Sequence, residues 1–133
     1  MSSGRIKIDG KTIHWIWQNE SILALSLDQI MAVGELSLNA LDEDYFVVLV
    51  TYDGKWQRIS MYAEGIDLML CLLAAKFGVK KFEAQLANKT EFSSIITYPL
   101  ELKGESILVK NIENQIVLSE PMQNLIRSAG NIG

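Results

Sequence analysis

Few residues in this chain have side chains suited to chemistry, and they are scattered. There is one histidine, His14, and one cysteine, Cys71. A thiol–imidazole nucleophile needs the two to meet. Cys71 lies mid-helix among leucines, where a thiol is an inert filler and not a low-pKa nucleophile. His14 sits on a strand beside tryptophans, a setting that favours a structural role. A lone histidine cannot hold zinc without other converging ligands, and a single cysteine excludes an internal disulfide or a multi-cysteine metal site. The chain has no Gly-rich phosphate loop and no GxSxG elbow. Distant carboxylates could meet in space, but no spacing sets up an acid–base pair. Asp42, Glu43 and Asp44 are consecutive. A dedicated calcium loop instead places its oxygens at alternate positions and turns on a glycine. The run therefore reads as a solvated acidic loop. These residue types point away from catalysis, from a cofactor and from a metal.

Charge narrows the partners. The net charge is -4, and no Lys or Arg falls between Lys11 and Lys55. Glu20, Asp28, Glu35, Asp42, Glu43, Asp44 and Asp53 all lie in that interval. Phosphate binding needs a basic face, so nucleic acid is disfavoured, and anionic membrane for the same reason. A basic protein partner remains compatible. The longest apolar run, Leu68 to Ala75, is far short of the ~20 residues that span a bilayer. The opening MSSGRIKIDG has no apolar run behind its charges, so it does not read as a signal peptide. The expected location is cytoplasmic.

The elements that must position these residues are organised around Tyr45 to Gly78. YFVVLVTY, then DG, then KWQRISMY read as a two-residue β-hairpin. With Asp53-Gly54 as the turn, Val50 opposes Gln57, Val48 opposes Ile59 and Phe46 opposes Met61. That face, with Phe46, Val48, Val50, Ile59 and Met61, is expected to meet the core. The other face pairs Thr51 with Trp56, Leu49 with Arg58 and Tyr45 with Tyr62. Its aromatic, hydroxyl and guanidinium groups suit a partner surface. Of the tryptophans, Trp15 suits the core, while Trp56 beside Arg58 suits an anchor. The candidate partner-binding set is Trp56, Arg58, Tyr62 and Trp17, with the acidic Asp42, Glu43 and Asp44.

A helix from about Ile66 to Phe77 follows, stopped by Gly78. Between Asp67 and Lys76 it is apolar at every angle, so it should be covered on most sides, by the C-terminal third or a second subunit. Upstream, Arg5–Ile8 and Lys11–Trp17 form a hairpin on Asp9-Gly10. Strands are expected over 22–27 and 30–38, with Gly34 marking a bulge or a close backbone approach. Downstream, 80–88 could be a second helix, and 92–102 holds a β-like ITY segment that Pro99 pushes to a sheet edge. Two short strands and a helix capped by Ser119 complete the chain.

From Thr12 to Gly78 the order HWIW, SLDQIMAV, LVTYDGKWQRI and GIDLMLCLLAAKFG resembles the bacterial branch of pleckstrin-homology-like domains. The resemblance implies a curved antiparallel sheet closed by a helix, used as a protein-interaction scaffold and not for phosphoinositides. Taken together, the sequence predicts a single α+β domain with a mostly antiparallel sheet packed on a central helix. The expected function is a non-enzymatic protein-interaction domain whose acidic N-terminal half engages a basic partner, as an adaptor or an immunity-type inhibitor. Self-association, including a homodimer, is also compatible. The alternative is a small-molecule-binding domain with its ligand between sheet and helix.

Overall fold

The computed structural model describes residues 3–39, 44–87 and 91–130. It is α+β, with antiparallel strand pairing within each of three sheets. The first sheet holds β1 (Arg5–Asp9), β2 (Thr12–Trp17) and β3 (Glu20–Ser26) in that order. The second is four-stranded and built from β4 (Ile30–Asn39), β5 (Asp44–Thr51), β6 (Trp56–Ser60) and β7 (Ser93–Tyr98), in the order β6-β5-β4-β7. β8 (Leu108–Lys110) and β9 (Ile116–Leu118) make a small hairpin. The helices are α1 (Ile66–Phe77) and α2 (Glu120–Gly130).

The four-stranded sheet is the middle layer, and both its faces are covered. On one face Val33, Val47, Leu49 and Ile59 pack with Met69 and Leu73 of α1 and with Ile13 and Leu25 of the first sheet. On the other, Ala32, Leu36, Val48, Val50 and Ile96 pack with Ile107, Leu108, Leu118 and Met122 from the C-terminal third. The second helix is therefore far more than a tail. Ser119 caps it, its hydroxyl accepting from the Met122 N–H at 3.4 Å.

Turn chemistry sets each register. At the central hairpin Thr51 N–H donates to the Lys55 carbonyl at 3.0 Å, so the loop is three residues, Tyr52-Asp53-Gly54, and not two. Gly54 N–H donates to the Thr51 carbonyl at 3.1 Å, and Gly54 takes φ +85°, the left-handed position a three-residue hairpin loop calls for. The pairs are Val50 with Trp56, Val48 with Arg58 and Val47 with Ile59. This corrects the expected pairing by one residue and splits the expected face: Ile59 and Met61 stay on the α1 side, while Phe46, Val48 and Val50 turn to the other. Val47 and Leu49 meet α1, while Phe46, Val48 and Val50 meet the C-terminal third. The Asp53 carboxylate accepts from the Thr51 hydroxyl and from the Lys55 N–H at 3.2 Å. The first hairpin slips likewise. Asp9 pairs with Thr12, leaving Gly10-Lys11 as the turn, with positive φ at Gly10. Gln18 and Asn19, both at positive φ, turn β2 into β3.

Other expectations hold. The segment with Gly34 is a strand, and a Cβ there would lie 2.5 Å from the Ile95 carbonyl and 2.7 Å from an Ile107 methyl. β7 is an edge strand that ends before Pro99. Residues 80–87 are not the expected helix. They form an irregular strap, because a buried carboxylate captures two of its amides, as described next.

Candidate functional site

That carboxylate is Glu35, the most prominent polar group in the interior. It projects from the middle of β4 and is only 4% exposed. It accepts hydrogen bonds from the Tyr45 hydroxyl, from the Gln85 N–H at 3.0 and 3.1 Å to its two oxygens, and from the Leu86 N–H at 3.2 Å. Three donors on one buried carboxylate satisfy it. The phenol of Tyr45 is pushed well above its ordinary range, first by burial and then by the bond to Glu35. Phe82 and Leu86 of the strap bury beside this latch. Between the strap, the sheet and Leu70 of α1 lies a cavity of about 30 Å³. That is room for about two water molecules. In the sequence Glu35 is one of seven acids in the Lys-free interval. The signal that could have singled it out is one charge in an otherwise apolar strand.

The predicted partner-binding set does not assemble in one place. Trp56 and Arg58 lie on the sheet face turned to the C-terminal third. Trp56 packs half-buried into that core, and the Arg58 guanidinium sits 4.7 Å over the Phe46 ring. Tyr62, past the end of β6, stacks edge-on against Tyr45 with ring centroids 6.2 Å apart. Asp44 opens β5, half-buried, while Asp42 and Glu43 lie outside the described residues. Trp17 lies in the first sheet, 41% exposed.

Trp17 does gather neighbours. A bridge pairs Arg5 with Glu64, tying β1 to the segment that leads into α1. Beside it, Arg5, Ile16, Trp17, Asn19 and Glu64 line a surface groove of about 330 Å³. Glu20 is the cross-strand partner of Trp17, so an acidic side chain lies next to the ring along the hairpin. Tyr62, 45% exposed, precedes Glu64 by two residues. The groove thus sets Trp17 beside Arg5 and Glu64, with Glu20 across the strand pair. Of the remaining acids in the Lys-free interval, Asp28 is paired with Lys11 at 3.3 Å.

The thiol of Cys71 is exposed, which corrects its expected place in the core. α1 buries Ile66, Met69, Leu73 and Ala74 against the sheet and leaves Leu68 56% exposed. The sequence foresaw a helix covered on most sides. Its outer face is open because the C-terminal third covers the opposite side of the sheet. His14 accepts or donates a hydrogen bond to Ser21 at 3.3 Å. Among the described residues, no group of three or more His, Cys, Asp or Glu side chains is arranged to hold a metal ion. Among them, too, no helix is long and apolar enough to cross a membrane. No protein-family model matches the chain, and no curated protein or solved structure matches it either.

Proposed function

We propose that this chain is a non-enzymatic protein-interaction domain that takes a basic segment of a partner protein at the Trp17 groove. The observation that carries the reading is the 41%-exposed Trp17 with Glu20 as its cross-strand partner and Glu64, next to Arg5, in the lining of the groove. A lysine or arginine laid on an indole gains cation–π attraction of about 0.5–1 kcal/mol at an exposed site. Nearby carboxylates add a salt-dependent attraction. An adaptor, or an acidic inhibitor of a basic protein, would use such a surface. The space between sheet and α1, about 30 Å³, favours this reading over a small ligand enclosed there, since ligand pockets run to several hundred Å³. We place the protein in the cytoplasm, where an exposed, unpaired thiol such as Cys71 stays reduced.

The test is titration of the chain with a hexa-arginine peptide by calorimetry, at low and at physiological salt. Binding should weaken as salt rises. It should fall about 2- to 5-fold in Trp17→Ala, the scale of an exposed cation–π contact, and several-fold in a Glu20→Gln/Glu64→Gln double variant. Salt-independent binding, or binding untouched by Trp17→Ala, would defeat the proposal.

A further inference from the structure

The outer face of α1 is a second surface with a different chemistry. Leu68, Cys71, Leu72 and Ala75 fall within an arc of about 100° on the helix, and Leu68, Cys71 and Ala75 are exposed. α2 shows how this chain dresses a helix that faces water: Glu120, Gln123, Asn124, Arg127 and Ser128 are its exposed positions. α1 has no such polar dress across the stripe.

Beside the stripe runs a groove of about 270 Å³, with Asp67 at one end and Lys80 and Lys81 at the other. Leu70 and Ala74 line it between them. Asp67 stands at the N-terminal end of α1, and the two lysines follow its C-terminal stop at Gly78. The groove therefore carries a negative head and a positive foot on one flank of the helix.

We propose that this face is where two copies of the chain pair, α1 against α1, antiparallel about a twofold axis near Cys71. An antiparallel twofold keeps the same flank of both helices on the same side while reversing one end for end. Asp67 of each copy then meets Lys80 and Lys81 of the other, so the charge match is made twice. Leu68 of each copy lies over Ala75 of the other. The small side chains of Cys71 and Ala75 let the helix axes approach to the usual 8–10 Å. The two Cys71 side chains face each other across the axis. An interface of one helix face and one groove is small, so the dimer is weak, with a Kd on the order of 100 µM.

Sedimentation of the full chain from roughly 1 µM to 1 mM, with a short bismaleimide as a Cys71 probe, decides the matter. The expected result is a concentration-dependent dimer and a covalent Cys71–Cys71 link. Leu68→Glu places a charge at an exposed position, so the fold should survive, as circular dichroism will show, while the Kd rises at least tenfold and the link is lost. Asp67→Lys and Lys80→Glu/Lys81→Glu should each weaken pairing, and the three changes together should restore it. A chain that stays monomeric throughout without forming the link overturns the proposal. So does a dimer indifferent to Leu68→Glu, or a charge swap that fails to rescue. None of these readouts involves the Trp17 groove.

Discussion

Replacing Glu35 tests the buried latch directly. Glu35→Ala removes the carboxylate that accepts from the Tyr45 hydroxyl and the Gln85 amide, and leaves the Leu86 amide with the Tyr45 oxygen alone. Each buried donor left unsatisfied costs about 1–3 kcal/mol. The adjoining cavity of about 30 Å³ can admit water, which softens the loss. The net expectation is about 3–5 kcal/mol, or a Tm lower by roughly 10–20 °C for a domain of this size. Glu35→Gln keeps one oxygen for the amides, and the Tyr45 hydroxyl can turn to accept from its NH₂. It should cost only about 1–2 kcal/mol. Tyr45→Phe leaves the carboxylate with its two amide donors and should fall in the same range. The Glu35→Ala/Tyr45→Phe double variant should be less destabilised than the sum, by about 0.5–2 kcal/mol, because the two changes delete one shared bond. Urea denaturation measures all four. Hydrogen exchange then asks whether the Gln85 and Leu86 amides lose protection first in Glu35→Ala, as they must if the strap is held by this carboxylate. A Glu35→Ala variant within about 0.5 kcal/mol of the parent, or unprotected Gln85 and Leu86 amides in the parent, would refute the reasoning.

Three further outcomes are expected. The Tyr45 phenol has a raised folded pKa, so its contribution is fully present below the unfolded value near 10 and is lost as pH climbs above it; alkaline denaturation should show this slope in the parent and not in Tyr45→Phe. Asp53 is held below the usual carboxylate range, first by the Thr51 hydroxyl and then by the Lys55 amide. Its contribution is present above an unfolded pKa near 4 and disappears as pH falls through the depressed value, so NMR titration should find Asp53 the more acidic in the parent than in Thr51→Val. Gly34→Ala drives a Cβ into the Ile95 carbonyl and Ile107; it should cost about 3 kcal/mol by overpacking, read from the urea midpoint, whereas Gly10→Ala meets no neighbouring atom and tests only the turn.

The sequence announced the elements well and their orientation poorly. The central hairpin, α1 and its glycine stop, the Gly34 strand, the edge strand before Pro99 and the Ser119 cap were all legible, because each depends on local chemistry. The hairpin register was not. Asp53-Gly54 suits a two-residue loop as well as it suits the end of a three-residue one, and the choice rests on a single bond from Thr51 to Lys55. Alternation could not arbitrate, since Phe46, Val48 and Val50 are as apolar as Val47 and Leu49 and both faces are covered. That one-residue slip left Ile59 and Met61 against α1 but moved Phe46, Val48 and Val50 to the second core, and Trp56 with them. The Trp17 groove was half legible. Trp17 was among the candidates, but Glu64 joins it only through the pairing of β1 with the segment before α1, a contact of long sequence separation. Glu35 does not stand out from the other acids, because a charge in a strand looks the same in sequence whether it faces water or a tyrosine.

A middle sheet walled on both sides has a consequence for how the chain is made. The first wall, α1, lies close behind β5 and β6 in synthesis order. The second wall ends with α2, roughly 30 residues after β7, and at 5–20 residues per second that is a lag of about 2–6 s. Until that wall is made, Ala32, Leu36, Val48, Val50 and Ile96 lack the C-terminal side chains they pack against in the finished domain. A pause in synthesis between β7 and α2 would lengthen the time these apolar side chains wait for their partners, the condition under which incomplete domains aggregate.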